Sequence, residues 1–166
     1  VTVDDPWETR PGFLSYNSTT FADKWAALAW LTNYADAKGV KIFVWKAYDD
    51  GDFNTGAERT AWMTQVSNAG AVGIKVDFFD DEDLDHVNIQ TDILERAAQL
   101  QLMVNFHGCG KPTGGIRGYP NQITREAVFG LEQIKWRNLP VFHNSIVPFA
   151  RGPMGPADYT PIAWQN

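Results

Sequence analysis

A repeated unit, in which a short apolar segment is followed by an amphipathic one, constrains the fold of this chain most. Three of the apolar segments begin roughly 30 residues apart, the length of a strand and its crossover. They are residues 40–45 (VKIFVW), 72–79 (VGIKVDFF) and 102–106 (LMVNF). Because these runs are continuously apolar and alternate with amphipathic segments, we interpret them as strands of a parallel sheet that is covered by helices. The sequence therefore predicts an α/β fold.

One helix is predicted before the first of these strands, at residues 20–38, and two between them, at residues 55–69 and 84–100. In the first of them, apolar side chains recur from Phe21 to Ala35 with the spacing of a helix. Gly39 and Gly70 directly follow the first two segments, at the position where a left-handed residue commonly ends a helix.

The rest of the chain gives weaker signals. Residues 1–3, 122–124 and 142–147 are further candidate strands, which brings the number to six. Residues 108–121 are rich in Gly and Pro and are predicted to form a long loop, of the kind that usually has a function. A closed (β/α)8 barrel needs eight strands and about 250 residues, so the chain is either a doubly wound open sheet or an incomplete barrel. The chain has no Gly-x-Gly-x-x-Gly motif after the first strand, which disfavours a nucleotide-binding open sheet.

Composition argues against several partners. The formal net charge is −6 and no basic stripe is visible, which disfavours nucleic acid and anionic membrane surfaces. No apolar run approaches the roughly 20 residues needed to span a bilayer. Cys109 is the single cysteine, so an internal disulfide is excluded. The 7 Trp, 5 Tyr and 10 Phe form an aromatic core or supply ring faces that stack on a sugar.

Polar residues lie where the predicted strands end, at Asp4, Asp5, Lys46, Asp77, His107 and Glu126. The carboxyl ends of parallel strands share one edge of the sheet, where active sites form. We therefore expect these side chains to lie near one another. Trp45, Lys46, His107 and Asp5 are the candidates for binding a substrate.

Asp77 is the most informative of these residues. It lies in an apolar strand in which Lys75 is the other charged residue. Burying an ionised carboxylate is costly unless the charge is paired. Asp77 is therefore either a structural residue bonded to Lys75 or Lys46, or a catalytic carboxylate. The acidic run that follows, at residues 80–85, is interpreted as the start of a helix, where capping and the helix dipole favour acidic side chains.

Glu126 and Glu132 are six residues apart, and by spacing alone either is equally well explained as a solvent-facing helix residue. Together with Asp77, they supply the two groups that glycoside cleavage requires. One carboxylate attacks or activates water, and one carboxylic acid protonates the leaving oxygen. A Cys109–His107 pair is a weaker alternative, because closeness in sequence says little about the geometry of two side chains.

Seven motifs occur together in this chain, namely VTVDDPWE at residues 1–8, GVKIFVW at 39–45, GIKVDFFD at 73–80, FHGCGKPTG at 106–114, YPNQITRE at 119–126, GLE at 130–132 and PFARGPMGPADYTP at 148–161. As a set, in this order, they make the chain similar to glycoside hydrolase family 97. The resemblance implies a (β/α)8 barrel, of which this chain would supply about strands two to seven. It also implies that residues 1–166 are part of a single catalytic domain in a longer, secreted or periplasmic chain, with a β-sandwich before it and a β-domain after it.

The resemblance also implies roles for individual residues. Asp77 matches the nucleophile of the retaining, α-galactosidase-like members, and Glu132 matches the acid/base of the family. Gly108 stands where the inverting α-glucosidases of the family have a Glu base. The resemblance therefore implies cleavage of α-galactosides or related oligosaccharides with retention. It further implies a calcium ion held by Glu126, with Glu132 as a second ligand.

Two alternatives remain open at this point. The chain is an inverting α-glucosidase of the same family, or it is a non-catalytic carbohydrate-binding or structural piece, since an incomplete barrel leaves unpaired strand edges. One departure from the family pattern bears on sugar preference. The motifs GPM at residues 152–154 and DYTP at residues 158–161 are separated by three residues, whereas in the family they usually follow directly.

Overall fold

The described residues of the protein form a parallel five-stranded sheet with its covering helices. The computed structural model describes residues 1–5, 7–8 and 20–160. The strands are β1 (Thr2–Val3), β2 (Phe43–Ala47), β3 (Gly73–Asp77), β4 (Met103–Phe106) and β5 (Gln122–Arg125). They lie side by side in the order of the chain, and every neighbouring pair is parallel. The predicted α/β class with a parallel sheet is confirmed.

In the part of the chain that the structure describes, four α-helices connect or follow the strands. They are α1 (Lys24–Asp36), α2 (Gly56–Asn68), α3 (Leu84–Gln99) and α4 (Val141–Ala150). The first three are N-capped by Asp23, Thr55 and Asp83, each of which accepts a hydrogen bond from a backbone N–H of the first turn. As predicted, Gly39 and Gly70 follow the first two helices with positive φ. None of the described helices is both long enough and apolar enough to cross a bilayer.

The order of the strands decides between the two folds left open by the sequence. A doubly wound sheet reverses its strand order at a switch point, whereas this sheet has no reversal among the described residues. Crossovers between parallel strands are almost always right-handed, so a sequential order places successive helices on the same face. This is the arrangement of neighbouring strands in a (β/α)8 barrel.

The two faces of the sheet differ in polarity. Val44, Ile74 and Val104 are fully buried and occupy neighbouring positions on the face that packs against the helices. One residue further along each strand, Trp45, Lys75 and Asn105 lie side by side on the opposite face. The polar residues of the candidate site lie on this opposite face, at the carboxyl ends of the strands.

One predicted strand is wrong. Residues 142–147 were predicted to be extended, but they belong to α4, and the described part of the sheet has five strands rather than six. A short apolar run does not distinguish a strand from a helix. Phe142, Ile146 and Phe149 recur at helical spacing and are exposed. In place of the sixth strand, Ala157 forms a single parallel bridge with Arg125 of β5.

Candidate active site

Asp77 is the last residue of β3 and is buried. Its Oδ2 accepts a hydrogen bond from the Trp45 indole N–H at 2.9 Å, and its Oδ1 accepts one from the Phe78 backbone N–H at 2.7 Å. His107 Nδ1 lies 3.3 Å from the carboxylate, and Lys75 Nζ lies 3.8 Å from Oδ2. Each of these four groups can donate a hydrogen bond or carry positive charge.

The surroundings of Asp77 favour its ionised form. Burial by itself opposes ionisation. The hydrogen bond and charge of His107, the hydrogen bond of Trp45 and the charge of Lys75 outweigh burial, and they hold the pKa of Asp77 below its ordinary value. An ionised carboxylate at this position is a competent nucleophile.

His107 brings two further carboxylates together with Asp77. It follows β4 directly and is buried. Its Nδ1 is also 3.4 Å from Glu126 Oε2, and its Nε2 is 4.0 Å from Glu132 Oε1. Within the described residues, Nε2 has no hydrogen-bond partner. Burial lowers the pKa of His107, but the hydrogen bond to Asp77 outweighs this and the pKa is raised.

The pKa of Glu126 is shifted in the opposite direction from that of Asp77. It follows β5 and is buried, and its Oε2 accepts the Gly108 backbone N–H at 2.7 Å. Burial, with a further contribution from the neighbouring Glu132, raises the pKa of Glu126 to about 7. The charge of His107 and the Gly108 hydrogen bond oppose the rise but do not cancel it. The site thus combines one carboxyl group whose pKa is lowered with one whose pKa is raised.

Gly108 links the ends of β3 and β4. Its φ is +48°, a conformation that residues with a side chain rarely adopt. A Cβ at this position would lie 2.9 Å from Asp77 Oδ1 and 3.0 Å from the Phe78 backbone nitrogen. The backbone after His107 therefore passes so close to Asp77 that a side chain at residue 108 is excluded without rearrangement.

Glu132 lies on a short 3₁₀ helix, Leu131–Lys135, and is partly buried. A later segment holds the start of this helix. The Leu131 N–H donates to the Tyr159 carbonyl at 2.9 Å, and the Glu132 N–H donates to Thr160 Oγ1 at 3.4 Å. Glu126 and Glu132 are therefore not two residues of one helix. The chain turns between them, and Glu132 therefore lies near His107, with 4.0 Å between Glu132 Oε1 and His107 Nε2.

The predicted substrate-binding residues do not all reach this cluster. Trp45 and His107 contact Asp77 directly. Lys46 lies on the other face of β2, with its Nζ 5.3 Å from the centre of the Trp62 ring of α2 and 2.9 Å from Asp50 Oδ2. The pairing of Asp77 with a lysine is therefore through Lys75, not Lys46.

Asp5 lies beside Trp45 in a surface pocket at the same edge of the sheet. Its neighbour Asp4 makes the contact with the polar face, where its Oδ2 is 3.0 Å from Lys75 Nζ.

Asn105 and Asp158 were not predicted from the sequence, although Asn105 Nδ2 donates to Asp158 Oδ2 at 3.0 Å on the same face. A polar residue inside the apolar run LMVNF was the available signal for Asn105.

His107, Glu126 and Glu132 form a group that could hold a cation. One ligand atom from each lies within 4.8 Å of the others, a spacing found only for this group among the described residues. Calcium takes six to eight oxygen ligands, so the two carboxylates fit calcium in type and charge. The imidazole nitrogen is a ligand that softer metals prefer, and His107 is better explained by its bond to Asp77.

Cys109 is a free thiol beside this cluster. Burial raises its pKa above the ordinary value, although the charge of Arg125 opposes this. A partly buried thiol of raised pKa is a poor nucleophile. The geometry thus favours the carboxyl groups, not the cysteine, as the chemical agents of the site.

Comparison with known proteins identifies relatives of this chain. The model of the family described as glycoside hydrolase 97 matches residues 1–128. A probable retaining alpha-galactosidase of Streptomyces bingchenggensis is 36% identical over 145 residues, which are 86% of this chain and 22% of that protein. A retaining alpha-galactosidase of Bacteroides thetaiotaomicron is 35% identical over 139 residues, or 82% of this chain and 20% of that protein. The chain thus spans about a fifth of the length of these relatives.

Two solved structures support the same relationship. A beta-arabinopyranosidase superposes with a TM-score of 0.80 at 28% identity, covering 95% of this chain and 26% of that chain. A family 97 enzyme from Pseudoalteromonas sp. strain K8, in complex with acarbose, superposes with a TM-score of 0.70 at 26% identity. That match covers 81% of this chain and 23% of the other.

Proposed function

Because the chain belongs to glycoside hydrolase family 97, we propose that the intact protein is a retaining glycosidase that cleaves terminal α-galactosides. One observation carries this proposal. Asp77 and Glu132 lie on opposite sides of the same imidazole, 3.3 and 4.0 Å from its two nitrogens, at the carboxyl edge of a parallel sheet. Retaining cleavage needs two carboxyl groups that flank one anomeric carbon.

The proposed reaction has two displacements. In the first, a carboxylate oxygen of Asp77 forms a bond to the anomeric carbon while the bond to the departing oxygen breaks, and Glu132 gives that oxygen its proton. In the second, Glu132 takes a proton from water as the water oxygen bonds to the anomeric carbon, and Asp77 leaves as a carboxylate. The donors around Asp77 support this role, since they favour the ionised form on which both steps depend.

Gly108 supports retention over the inverting alternative. The inverting mechanism requires a base that activates water, and the family resemblance puts that base at position 108. Here the residue is glycine, and a Cβ would come within 2.9 Å of Asp77 Oδ1. The ionised carboxylate of Asp77 and a side chain at 108 therefore compete for the same space.

Calcium is proposed at Glu126 and Glu132, whose oxygens lie close together beside His107. A bound divalent cation would supply positive charge near the reacting centre. Glu126, which already accepts the Gly108 N–H, would anchor this end of the site.

A second substrate is supported by a specific observation. The structure that superposes at a TM-score of 0.80 is a beta-arabinopyranosidase. In its L form, a β-arabinopyranoside has the ring configuration of an α-galactopyranoside without the exocyclic hydroxymethyl group. Both sugars therefore suit the same pair of carboxylates, and the choice depends on the space around that missing group.

The test uses the full-length protein and nitrophenyl α-galactoside. Substitution Asp77→Ala is expected to lower kcat by about a thousandfold or more, since it removes the nucleophile. Proton NMR of the first product should show the α anomer. Asp36→Asn, at an exposed ion pair with Lys41, is the matched control and should leave kcat unchanged.

Three other outcomes would contradict parts of the proposal. Unchanged hydrolysis by Asp77→Ala removes the nucleophile assignment. A β anomer as the first product supports the inverting alternative. No hydrolysis of any α-galactoside, α-glucoside or β-arabinopyranoside by the wild-type protein supports a non-catalytic role.

The preferred sugar is identified in a separate measurement. It compares the kcat/KM of the active wild-type protein for nitrophenyl α-galactoside with its kcat/KM for nitrophenyl β-L-arabinopyranoside.

A further inference from the structure

We propose that Asp158 is a positioning residue that holds Glu132 in place for proton transfer. This inference rests on the proposed function, because it concerns the acid/base role of Glu132. Asp158 does not touch the reacting atoms. It acts through residues 158–160, which carry the backbone and hydroxyl groups that bind the start of the 3₁₀ helix Leu131–Lys135.

Both carboxylate oxygens of Asp158 are engaged. Oδ1 accepts the Thr160 backbone N–H at 3.1 Å, which closes a tight turn over residues 158–160. Oδ2 accepts Asn105 Nδ2 at 3.0 Å. Asn105 is buried on β4, two residues before His107. One side chain therefore shapes the turn and also joins it to the strand that carries His107.

The turn is in close contact with the segment that bears Glu132. Gly130 is buried, and a Cβ there would lie 2.7 Å from the Tyr159 carbonyl oxygen. The Tyr159 carbonyl accepts the Leu131 N–H at 2.9 Å. Thr160 has φ +46°, an uncommon conformation for a β-branched residue that persists only when its surroundings enforce it. The hydrogen bond from the Thr160 N–H to Asp158 is one such enforcing contact.

The turn is also fixed to the end of β5. The Asp158 N–H donates to the Arg125 carbonyl at 3.3 Å. Buried Arg151 donates from Nη2 to the same carbonyl at 3.0 Å and to the Pro156 carbonyl at 3.1 Å. Arg125 precedes Glu126, so the turn is tied to the strands that carry both His107 and Glu126.

Glu132 needs this support because its own helix is weak. The 3₁₀ helix has five residues and no side-chain N-cap. Short 3₁₀ segments have poor hydrogen-bond geometry and do not hold a fixed position alone. Misplacing a catalytic group by about 1 Å can cost on the order of a hundredfold in rate.

The test compares two substrates in the full-length protein. Cleavage of a methyl glycoside needs protonation of the leaving oxygen, whereas cleavage of a dinitrophenyl glycoside does not. Asp158→Ala is expected to lower kcat/KM for the methyl glycoside by about ten- to a hundredfold, and for the dinitrophenyl glycoside by less than about threefold. Asp158→Asn keeps one oxygen acceptor and should recover part of the loss.

Two reference variants make the result interpretable. Glu132→Gln should give the same selective loss in stronger form. Asp23→Ala removes an aspartate that also accepts a backbone N–H, at the start of α1, and should change both substrates equally. An equal loss on both substrates in Asp158→Ala, with a selective loss in Glu132→Gln, overturns the positioning role and leaves the proposed function intact. An equal loss in Glu132→Gln instead contradicts the proposed function.

Discussion

Trp45 illustrates how one hydrogen bond fixes the proposed nucleophile. Its indole N–H donates to Asp77 Oδ2 at 2.9 Å, and both side chains are buried. The Trp45 ring also packs edge-on against Phe78, with 5.5 Å between the ring centres. The bond therefore lies in a well-packed part of the site, where a donor to an ionised acceptor contributes about 1.5–3 kcal/mol.

The substitution Trp45→Phe tests this contact. It keeps an aromatic ring against Phe78 but removes the donor, so Asp77 loses stabilisation of its charge and one constraint on its orientation. We expect kcat/KM of the full-length protein to fall by about tenfold or more, since about 1.4 kcal/mol corresponds to a factor of ten. Trp30→Phe is the control, because Trp30 is exposed and stacks on Tyr34. Equal activity of wild type and Trp45→Phe would contradict the assignment.

Sequence reasoning identified site residues where a polar side chain interrupts or ends an apolar strand. Asp77, His107 and Glu126 are of this kind, and they lie together. Lys46 follows the same rule but lies on the other face, because side chains alternate along a strand and the sequence pattern does not say which face is polar. Asp158 lies in a loop without periodicity, and its contact with Asn105 spans 53 residues, so no local signal could predict the pair.

Helix α2 has the most fully capped start of the described helices. Thr55 Oγ1 accepts the Glu58 backbone N–H at 3.2 Å, and Glu58 Oε2 accepts the Thr55 N–H at 2.8 Å. This reciprocal pair satisfies two backbone donors that the helix itself leaves unpaired. The cap places the first turn of α2 just after the loop that holds Asp50 and Asp52.

Removing the cap is expected to destabilise the protein measurably. Thr55→Ala should lower the free energy of unfolding by about 1 kcal/mol, because the Glu58 backbone N–H loses the Thr55 hydroxyl as its acceptor. The measurement is chemical denaturation of the full-length protein followed by tryptophan fluorescence. Thr64→Ala on the same helix is the control, since its hydroxyl bonds only the carbonyl one turn back. A loss of equal size in Thr64→Ala would mean that the cap itself contributes nothing.

Strands and helices with clear local signals were predicted to within about four residues, a normal error for element ends. The three central strands, the three long helices and the glycines after the first two helices are examples. Helix α4 was not predicted, because a short run of apolar residues fits a strand as well as a helix. The parallel bridge of Ala157 with β5 was also missed, since it depends on a long-range contact.

At the scale of the whole molecule, a buried lysine joins separate segments of the chain. Lys46 of β2 is 2% exposed. Its Nζ lies 3.2 Å from Glu8, near the first strand, and 2.9 and 2.5 Å from Asp50 and Asp52, in the loop after β2. Glu8 in turn accepts a hydrogen bond from the Trp62 indole of α2. The ammonium therefore connects the N-terminal segment and β2 to the layer of helices.

This cluster predicts a loss of stability at high pH. Burial alone would lower the pKa of Lys46, but hydrogen bonds to Asp52 and Asp50 and the charge of Glu8 outweigh burial and raise it above the ordinary 10.5. A group whose pKa is raised by folding stabilises the protein fully below its ordinary pKa, and this stabilisation is lost as the pH rises through the folded value. In denaturation experiments at about pH 9 and pH 11, the wild type should therefore lose part of its stability advantage over Lys46→Met at the higher pH. The advantage over Lys111→Met, at an exposed lysine, should stay small throughout. A difference between wild type and Lys46→Met that is the same at both pH values would contradict a charged Lys46 as the stabilising species.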